Sequence, residues 1–194
     1  MPKKTPRNTR GRIVSAAWKL FNEQGYEHTT VEDILALSGT SKGTFYHYFE
    51  GKDALLGTLS VLFDEKYEAL IPTIPEDMDA LDALAYLNRE LFAMIDAEIP
   101  LELLARLLST QLTVRGEKHL LDRDRLYFRL LREIVSRGQA RGEVRTDLSV
   151  NEITKAYALM ERALMYDWCL CGGAYSLSRY GAEMMGRFLQ SYRK

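Results

Sequence analysis

Ser41, Lys42, Gly43, Thr44, Tyr46, His47 and Lys52 crowd into one short stretch of the chain. They bring hydroxyl, ammonium, phenol and imidazole donors together, and no carboxylate interrupts them before Glu50. Donors without a carboxylate among them suit a polyanion, because phosphate oxygens and many base-edge atoms accept hydrogen bonds. Gly43 has no side chain, so a backbone there can come close to another molecule. Tyr46, His47 and Tyr48 suit phosphates, and Lys52 opens a helix, whose N-terminal end also favours an anion. Catalytic chemistry is poorly supplied. The histidines, His28, His47 and His119, are far apart in sequence, and there is no glycine-rich phosphate loop or nucleophile elbow. Cys169 and Cys171 lack the spacing of common zinc knuckles and read as buried packing. No catalytic residue, metal ligand or cofactor is assigned.

Two short helices joined by a tight turn position these donors. Thr30 and Asp33 form a capping-box pattern that opens a helix over 31–38. Gly39 and Thr40 make the turn, and Ser41 caps a helix over 42–48 whose Phe45 and Phe49 face the core. A preceding helix over 8–25 shows one apolar stripe, Ile13, Ala16, Ala17, Leu20 and Phe21, and ends at Gly25. This is helix-turn-helix patterning, in which the second helix presents its N-terminal residues to a DNA groove. Such short helix pairs also occur away from DNA.

Specific residues go further than the pattern. Arg12-Ile13-Val14, Ala16-Ala17, Leu20-Phe21, Gly25-Tyr26, Thr29-Thr30-Val31, Asp33-Ile34, Gly39, Ser41 through Phe49, Lys52-Asp53 and Leu55-Leu56 together resemble the N-terminal domain of the tetracycline-repressor (TetR) family of bacterial regulators. The resemblance covers residues 12–56. It implies DNA contacts at Thr29, Thr30, Ser41, Lys42, Gly43, Thr44, Tyr46, His47 and Lys52, with Lys42 and Thr44 nearest the bases and Tyr46, His47 and Lys52 on phosphates. It also implies a repressor whose effector, bound in the rest of the chain, moves the fourth helix and so changes the separation of two recognition helices. Two positions depart from the family pattern. Leu35 stands where Ala is usual. Thr40 stands where Val is usual, and its hydroxyl needs a partner.

The rest of the chain reads as helices over 52–71, 76–97, 101–113, 122–141, 150–171 and from 176 or 178 towards the C-terminus. The fold class is therefore all-α with about nine helices. Residues 1–52 form the DNA-binding domain with a basic arm over 2–12, the helix over 52–71 connects, and residues 72–194 form a ligand-sensing and dimerising domain. Glu76, Asp77 and Asp79 are expected in the first turn of the fifth helix. Ile153, Ala156, Tyr157, Met160 and Leu164 stripe the eighth helix, while Leu159, Ala163, Tyr166 and Trp168 cover its other sides. A helix apolar nearly all round needs neighbours on several sides. Helices 8 and 9 are thus expected to form a two-fold homodimer interface. Tyr86, Phe92, Met94, Arg106, Gln111, Tyr127, Tyr157, Met160, Glu161 and Trp168 are candidates for an effector pocket, by their aromatic walls and sparse polar groups. The same residues at helical spacing also read as core. Arg106 and Glu161 either pair with each other or lie at the surface.

Totals exclude other classes. The chain of 194 residues is 46% hydrophobic and 27% charged, with net charge -1, so it is neither disordered nor histone-like. Cations exceed carboxylates up to residue 52 and carboxylates exceed cations beyond it. There is no signal peptide pattern and no apolar run of bilayer length, and the two cysteines fit a reducing cytoplasm. The partners expected are double-stranded DNA, a second copy of the chain and an unidentified small effector. A helical enzyme and a purely architectural helical module are the alternatives. The first would turn over a substrate without affinity for DNA. The second would bind DNA weakly and without sequence preference.

Overall fold

The computed structural model of the protein describes residues 9–113 and 118–194. The described part is helical, with α1 at Thr9–Gln24, α2 at Val31–Ser38, α3 at Lys42–Tyr48, α4 at Lys52–Leu56, α5 at Leu59–Leu70, α6 at Ala80–Glu98, α7 at Leu101–Thr113, α8 at Leu126–Arg141, α9 at Val150–Leu170 and α10 at Leu177–Gln190. These are the nine helices expected, with the fourth divided into α4 and α5. Most of the basic arm and the loop at Arg115-Gly116 lie outside the described residues. α1 begins where the helix over 8–25 was expected, so Arg10 and Arg12 of the basic stretch lie in its first turn.

Local signals set most helix ends. The Thr30–Asp33 and Ser149–Glu152 capping boxes both form, each hydroxyl accepting from the amide three residues on while the carboxylate accepts from the cap amide. Gly39 ends α2 in the left-handed conformation, φ 63°, which side chains seldom adopt. The fifth predicted helix, now α6, starts later than expected. Asp79 is its cap, accepting from Leu81 N and Asp82 N, so Glu76 and Asp77 precede the helix instead of occupying its first turn.

The break between α4 and α5 has a tertiary cause. The Thr58 hydroxyl donates to Leu55 O at 2.6 Å and accepts from the Trp18 indole, on α1, at 2.8 Å. Such a hydroxyl competes with the helix ladder. Beyond the break, Arg125 at the start of α8 grips α5, with Nε and Nη2 on the two Asp64 carboxylate oxygens at 3.0 and 2.9 Å.

In the C-terminal bundle α10 lies close along α6. A Cβ at Gly181 would stand 2.5 Å from the Phe92 ring, so only glycine allows that approach. Phe92 is buried in the core with Leu84, Leu87, Leu91 and Ile95 of the same helix.

Candidate nucleic-acid interface

The α2–α3 turn is held from inside and presents donors outside. Phe45 is fully buried, and Phe49, just past the end of α3, is buried beside it with ring centroids 5.8 Å apart. The opposite side of α3 is open. Tyr46 is 48% and Tyr48 42% exposed, and Lys42, Gly43 and His47 are exposed as well. Nothing lies within 4 Å of where a Gly43 Cβ would stand, so the helix start is free for close approach. Ser41 caps α3 by accepting from Thr44 N at 3.2 Å, and the two hydroxyls lie 2.8 Å apart. Lys42 reaches across to Glu32 at 3.5 Å, with both side chains largely exposed. An exposed pair of this kind is weak enough for a phosphate to displace.

Thr29 and Thr30 are placed differently from each other. Thr30 is exposed at the start of α2, its hydroxyl engaged with Asp33. Those hydrogen bonds from Thr30 hold the Asp33 carboxyl below its ordinary range. Thr29 is 1% exposed and its hydroxyl donates to Gly25 O at 2.7 Å, so its side chain faces the α1–α2 loop and not the open face.

Lys52 does more than face outward. Its ammonium donates to Tyr26 O at 2.7 Å and Thr29 O at 3.0 Å, and rests 4.1 Å from the centre of the Tyr26 ring. It ties α4 to the α1–α2 loop and leaves one N–H for an anion. Tyr26 also donates to Asp53. Burial, and then that carboxylate, hold the phenol well above its usual range. A second cation, Arg106 of α7, stands 4.8 Å from the same ring and pairs with Glu27. Cations over an aromatic face attract it. Glu27, Tyr26 and Asp53 thus join the interface to the C-terminal bundle, and nothing in their spacing announced that role.

Comparison with known proteins fits this geometry. The pattern of the "Bacterial regulatory proteins, tetR family" matches residues 13–59. The transcriptional regulator HbdR of Aromatoleum sp. (strain CIB) is 31% identical over 180 residues, covering 90% of this chain and 76% of that protein. The chain belongs to the TetR family. It is a DNA-binding transcriptional regulator, and its family is one of regulators and not of enzymes. TcmR of Streptomyces glaucescens is 34% identical over 79 residues, but the match spans only 35% of that protein. The solved structure of FadR from Thermus thermophilus, a TetR-family repressor in complex with lauroyl-CoA, superposes with a TM-score of 0.73 at 24% identity, covering 93% of each chain.

In this TetR-family chain both departures from the usual turn are accommodated. The Thr40 hydroxyl lies 2.7 Å from the Ser38 hydroxyl, so it has the partner that a valine methyl would not need. Leu35 is half-buried against the core.

The residues expected to bind an effector do not form one cluster. Tyr127, Tyr157 and Glu161 do come together at the centre of the C-terminal bundle. Glu161 is 3% exposed. The Tyr67 hydroxyl lies 3.3 and 3.4 Å from its two oxygens, and Asn88 Nδ2 donates to Oε1 at 3.1 Å. Tyr157 stands beside it and donates to Leu84 O at 3.0 Å. Burial pushes the Glu161 carboxyl above its ordinary range, against the hydrogen bonds from Tyr127, Asn88 and Tyr67, and pushes the phenols of Tyr67, Tyr127 and Tyr157 up as well. The cavity here, about 20 Å³, has room for a water molecule. Arg106 does not pair with Glu161; it bridges to Glu27 and Glu102. Trp168 is a packing residue whose indole donates to Tyr175 O at 2.8 Å. Tyr86 bonds Thr73 outside this centre, and Met94 and Met160 are half-buried packing residues. Gln111 lines an open groove between α7 and α9 of about 470 Å³, with Leu108, Leu112, Leu121, Leu159 and Tyr166. Sequence reasoning missed Tyr67 and Asn88, which meet Glu161 only through the fold.

The cysteines divide. Cys169 is half-buried, its thiol pushed up to about 11 by burial, whereas Cys171 is exposed and not the buried residue expected. Among the described residues no helix is long and apolar enough to cross a membrane, and no group of three His, Cys, Asp or Glu could hold a metal ion.

Proposed function

We propose that the chain works as a homodimeric repressor that sits on an inverted-repeat operator and leaves it when a small, largely apolar effector binds. Residues 1–52 act as the DNA-binding head, residues 52–71 as the connection, and residues 72–194 as the sensor and dimerisation unit. The observation that supports this best is the α2–α3 face, anchored by Phe45 and Phe49 and offering Ser41, Lys42, Thr44, Tyr46 and His47 outward. Lys42 and Thr44 read bases, and Tyr46, His47 and Lys52 hold phosphates.

Dimerisation is supported by an exposed apolar stripe. Leu159 is 61%, Tyr166 47% and Leu170 69% exposed along α9, and Tyr180 of α10 is 44% exposed. These are the eighth and ninth predicted helices. A second copy laid two-fold on this stripe covers it and pairs the two recognition helices with two half-sites. It also roofs the groove between α7 and α9, making an enclosed apolar site that adjoins the Glu161 centre through Leu120 and Arg162. The lauroyl-CoA complex of the Thermus relative supports an acyl chain as the occupant. Binding switches the protein only if the DNA-free conformation takes the effector more tightly.

The test is footprinting and binding of the protein's own upstream DNA at two salt concentrations against unrelated competitor, then addition of lauroyl-CoA. Specific, salt-sensitive protection of an inverted repeat, relieved by the acyl-CoA, is expected. Binding no tighter than to the competitor would remove the repressor reading at that DNA. Protection unmoved by lauroyl-CoA would remove the acyl effector.

A further inference from the structure

A second cavity of about 310 Å³ opens between the start of α8 and the first half of α9. Its wall is unusually cationic: Arg123, Arg132, Lys155 and Arg162 line it, and Glu152 is the single carboxylate among the described residues. Glu152 is already committed, accepting from the Ser149 amide and hydroxyl at 2.8 and 2.7 Å as the capping partner of α9. None of the four cations forms a salt bridge with a carboxylate among the described residues. Arg132 donates to Arg123 O at 3.1 Å, which leaves its guanidinium further N–H groups. Four cations held around one carboxylate that is already engaged raise the local potential and draw an anion.

A buried group points the same way. Thr154 lines this cavity, is 3% exposed, and its Oγ1 has no hydrogen-bond partner among the described residues. A buried hydroxyl left unpaired is costly, so one that persists calls for an explanation, a ligand being one. Phe128, Leu121 and Ala158 complete the wall with apolar surface.

We propose that this cavity binds a small phosphate ester, its phosphate held by Arg132, Lys155, Arg123 and the Thr154 hydroxyl and its organic substituent resting on Phe128 and Leu121. Phosphate offers acceptors to all four donors at once, and a guanidinium fork matches its geometry. The site adjoins the closed tyrosine–glutamate centre at Arg162 and the α7–α9 groove at Leu121 and Arg162, and the argument for it rests on neither the apolar effector nor any operator.

Calorimetric titration of the full chain, without DNA and at constant ionic strength, tests it with inorganic phosphate, phenyl phosphate and phenol as probes. Saturable binding of phenyl phosphate, tighter than phosphate and absent for phenol, is expected. The Arg132→Gln/Lys155→Gln double variant should weaken it at least tenfold, and the near-isosteric Thr154→Val severalfold with an unchanged helical spectrum. Equal affinity for phosphate and phenyl phosphate would keep the anion site and assign it to the free ion, overturning the ester. No saturable binding of either phosphate, or binding that neither variant changes, would overturn the site. Because no DNA is present, either result is separate from success or failure of the repressor reading.

Discussion

The α2–α3 turn and the centre of the C-terminal bundle both gather polar groups, and they do so in opposite ways. At the turn, Ser38 meets Thr40 and Ser41 meets Thr44, partners two or three residues apart, the first pair part-buried and the second exposed. At the centre, Tyr67, Asn88 and Glu161 come from three helices, Glu161 lying 94 and 73 residues from its two partners, and all are buried. The four hydroxyls of the turn are partnered by one another. The centre is not fully partnered, for Asn88 Oδ1 has no hydrogen-bond partner among the described residues. A network made by adjacent residues survives any movement of the helices around it. A network made across three helices exists only while they keep their places. The first suits a rigid reading surface, and the second suits a place where a bound molecule alters how a bundle packs.

Perturbing each region separately sharpens this contrast. The largest effect is expected from Phe45→Ala, which removes the fully buried anchor of α3 without touching its open face. Loss of about 3–5 kcal/mol in urea unfolding is expected, with operator binding lost in parallel. Stability unchanged would mean that α3 is not anchored through the core.

At the centre, burial holds Glu161 above its ordinary range, so the fold binds that proton more tightly than the unfolded chain does. Stability is therefore greatest below the ordinary carboxylate pKa and falls as pH climbs from there through the raised value. Glu161→Gln should flatten that decline and gain about 1–3 kcal/mol at neutral pH, the scale of an ill-satisfied buried polar group. Thermal unfolding from pH 4 to 8 reads both. An equally steep decline in the variant would assign the pH dependence elsewhere.

Lys52→Ala tests the edge of the head. It should weaken binding on every DNA sequence and reduce the salt slope by about one. Because Lys52 also ties the Tyr26 and Thr29 carbonyls, the free protein should lose about 1–2 kcal/mol. A stability loss with an unchanged salt slope would make Lys52 a tie alone.

The smallest effect is expected at Asp96, which accepts from Leu177 N, Ser178 N and the Ser176 and Ser178 hydroxyls at the start of α10. Burial alone would raise its carboxyl, but those hydrogen bonds hold it below its ordinary range. Its contribution is present above the ordinary pKa and lost as pH falls through the lowered one, the reverse of Glu161. Asp96→Asn should cost about 1 kcal/mol at neutral pH and less in acid.

The same contrast explains what could be read from the chain alone. Both capping boxes, the Gly39 turn and the inward Phe45 were legible because a few consecutive residues determine them. The Gly57-Thr58 break was not, since the apolar pattern runs through it and the partner of Thr58 is Trp18, forty residues earlier. The start of α6 was misplaced because Glu76, Asp77 and Asp79 are equally acidic, and only the chain geometry selects Asp79 as cap. Glu161 stood out by its charge in an apolar helix, but its partners Tyr67 and Asn88 look like ordinary members of their own stripes. Arg106 stood out too, and its true partner Glu27 lay beyond the boundary drawn between the halves.

That last contact bears on how such regulators can be recombined. Tyr26 takes one cation from Lys52, in the same half of the chain, and another from Arg106 in the other half. The two halves are therefore joined by a through-space clasp as well as by the peptide chain. A chimaera that splices this head onto a foreign sensor within residues 52–71 would preserve the chain and break the clasp. Such a hybrid would keep its operator preference yet respond poorly, unless the graft also brings an arginine to meet Glu27.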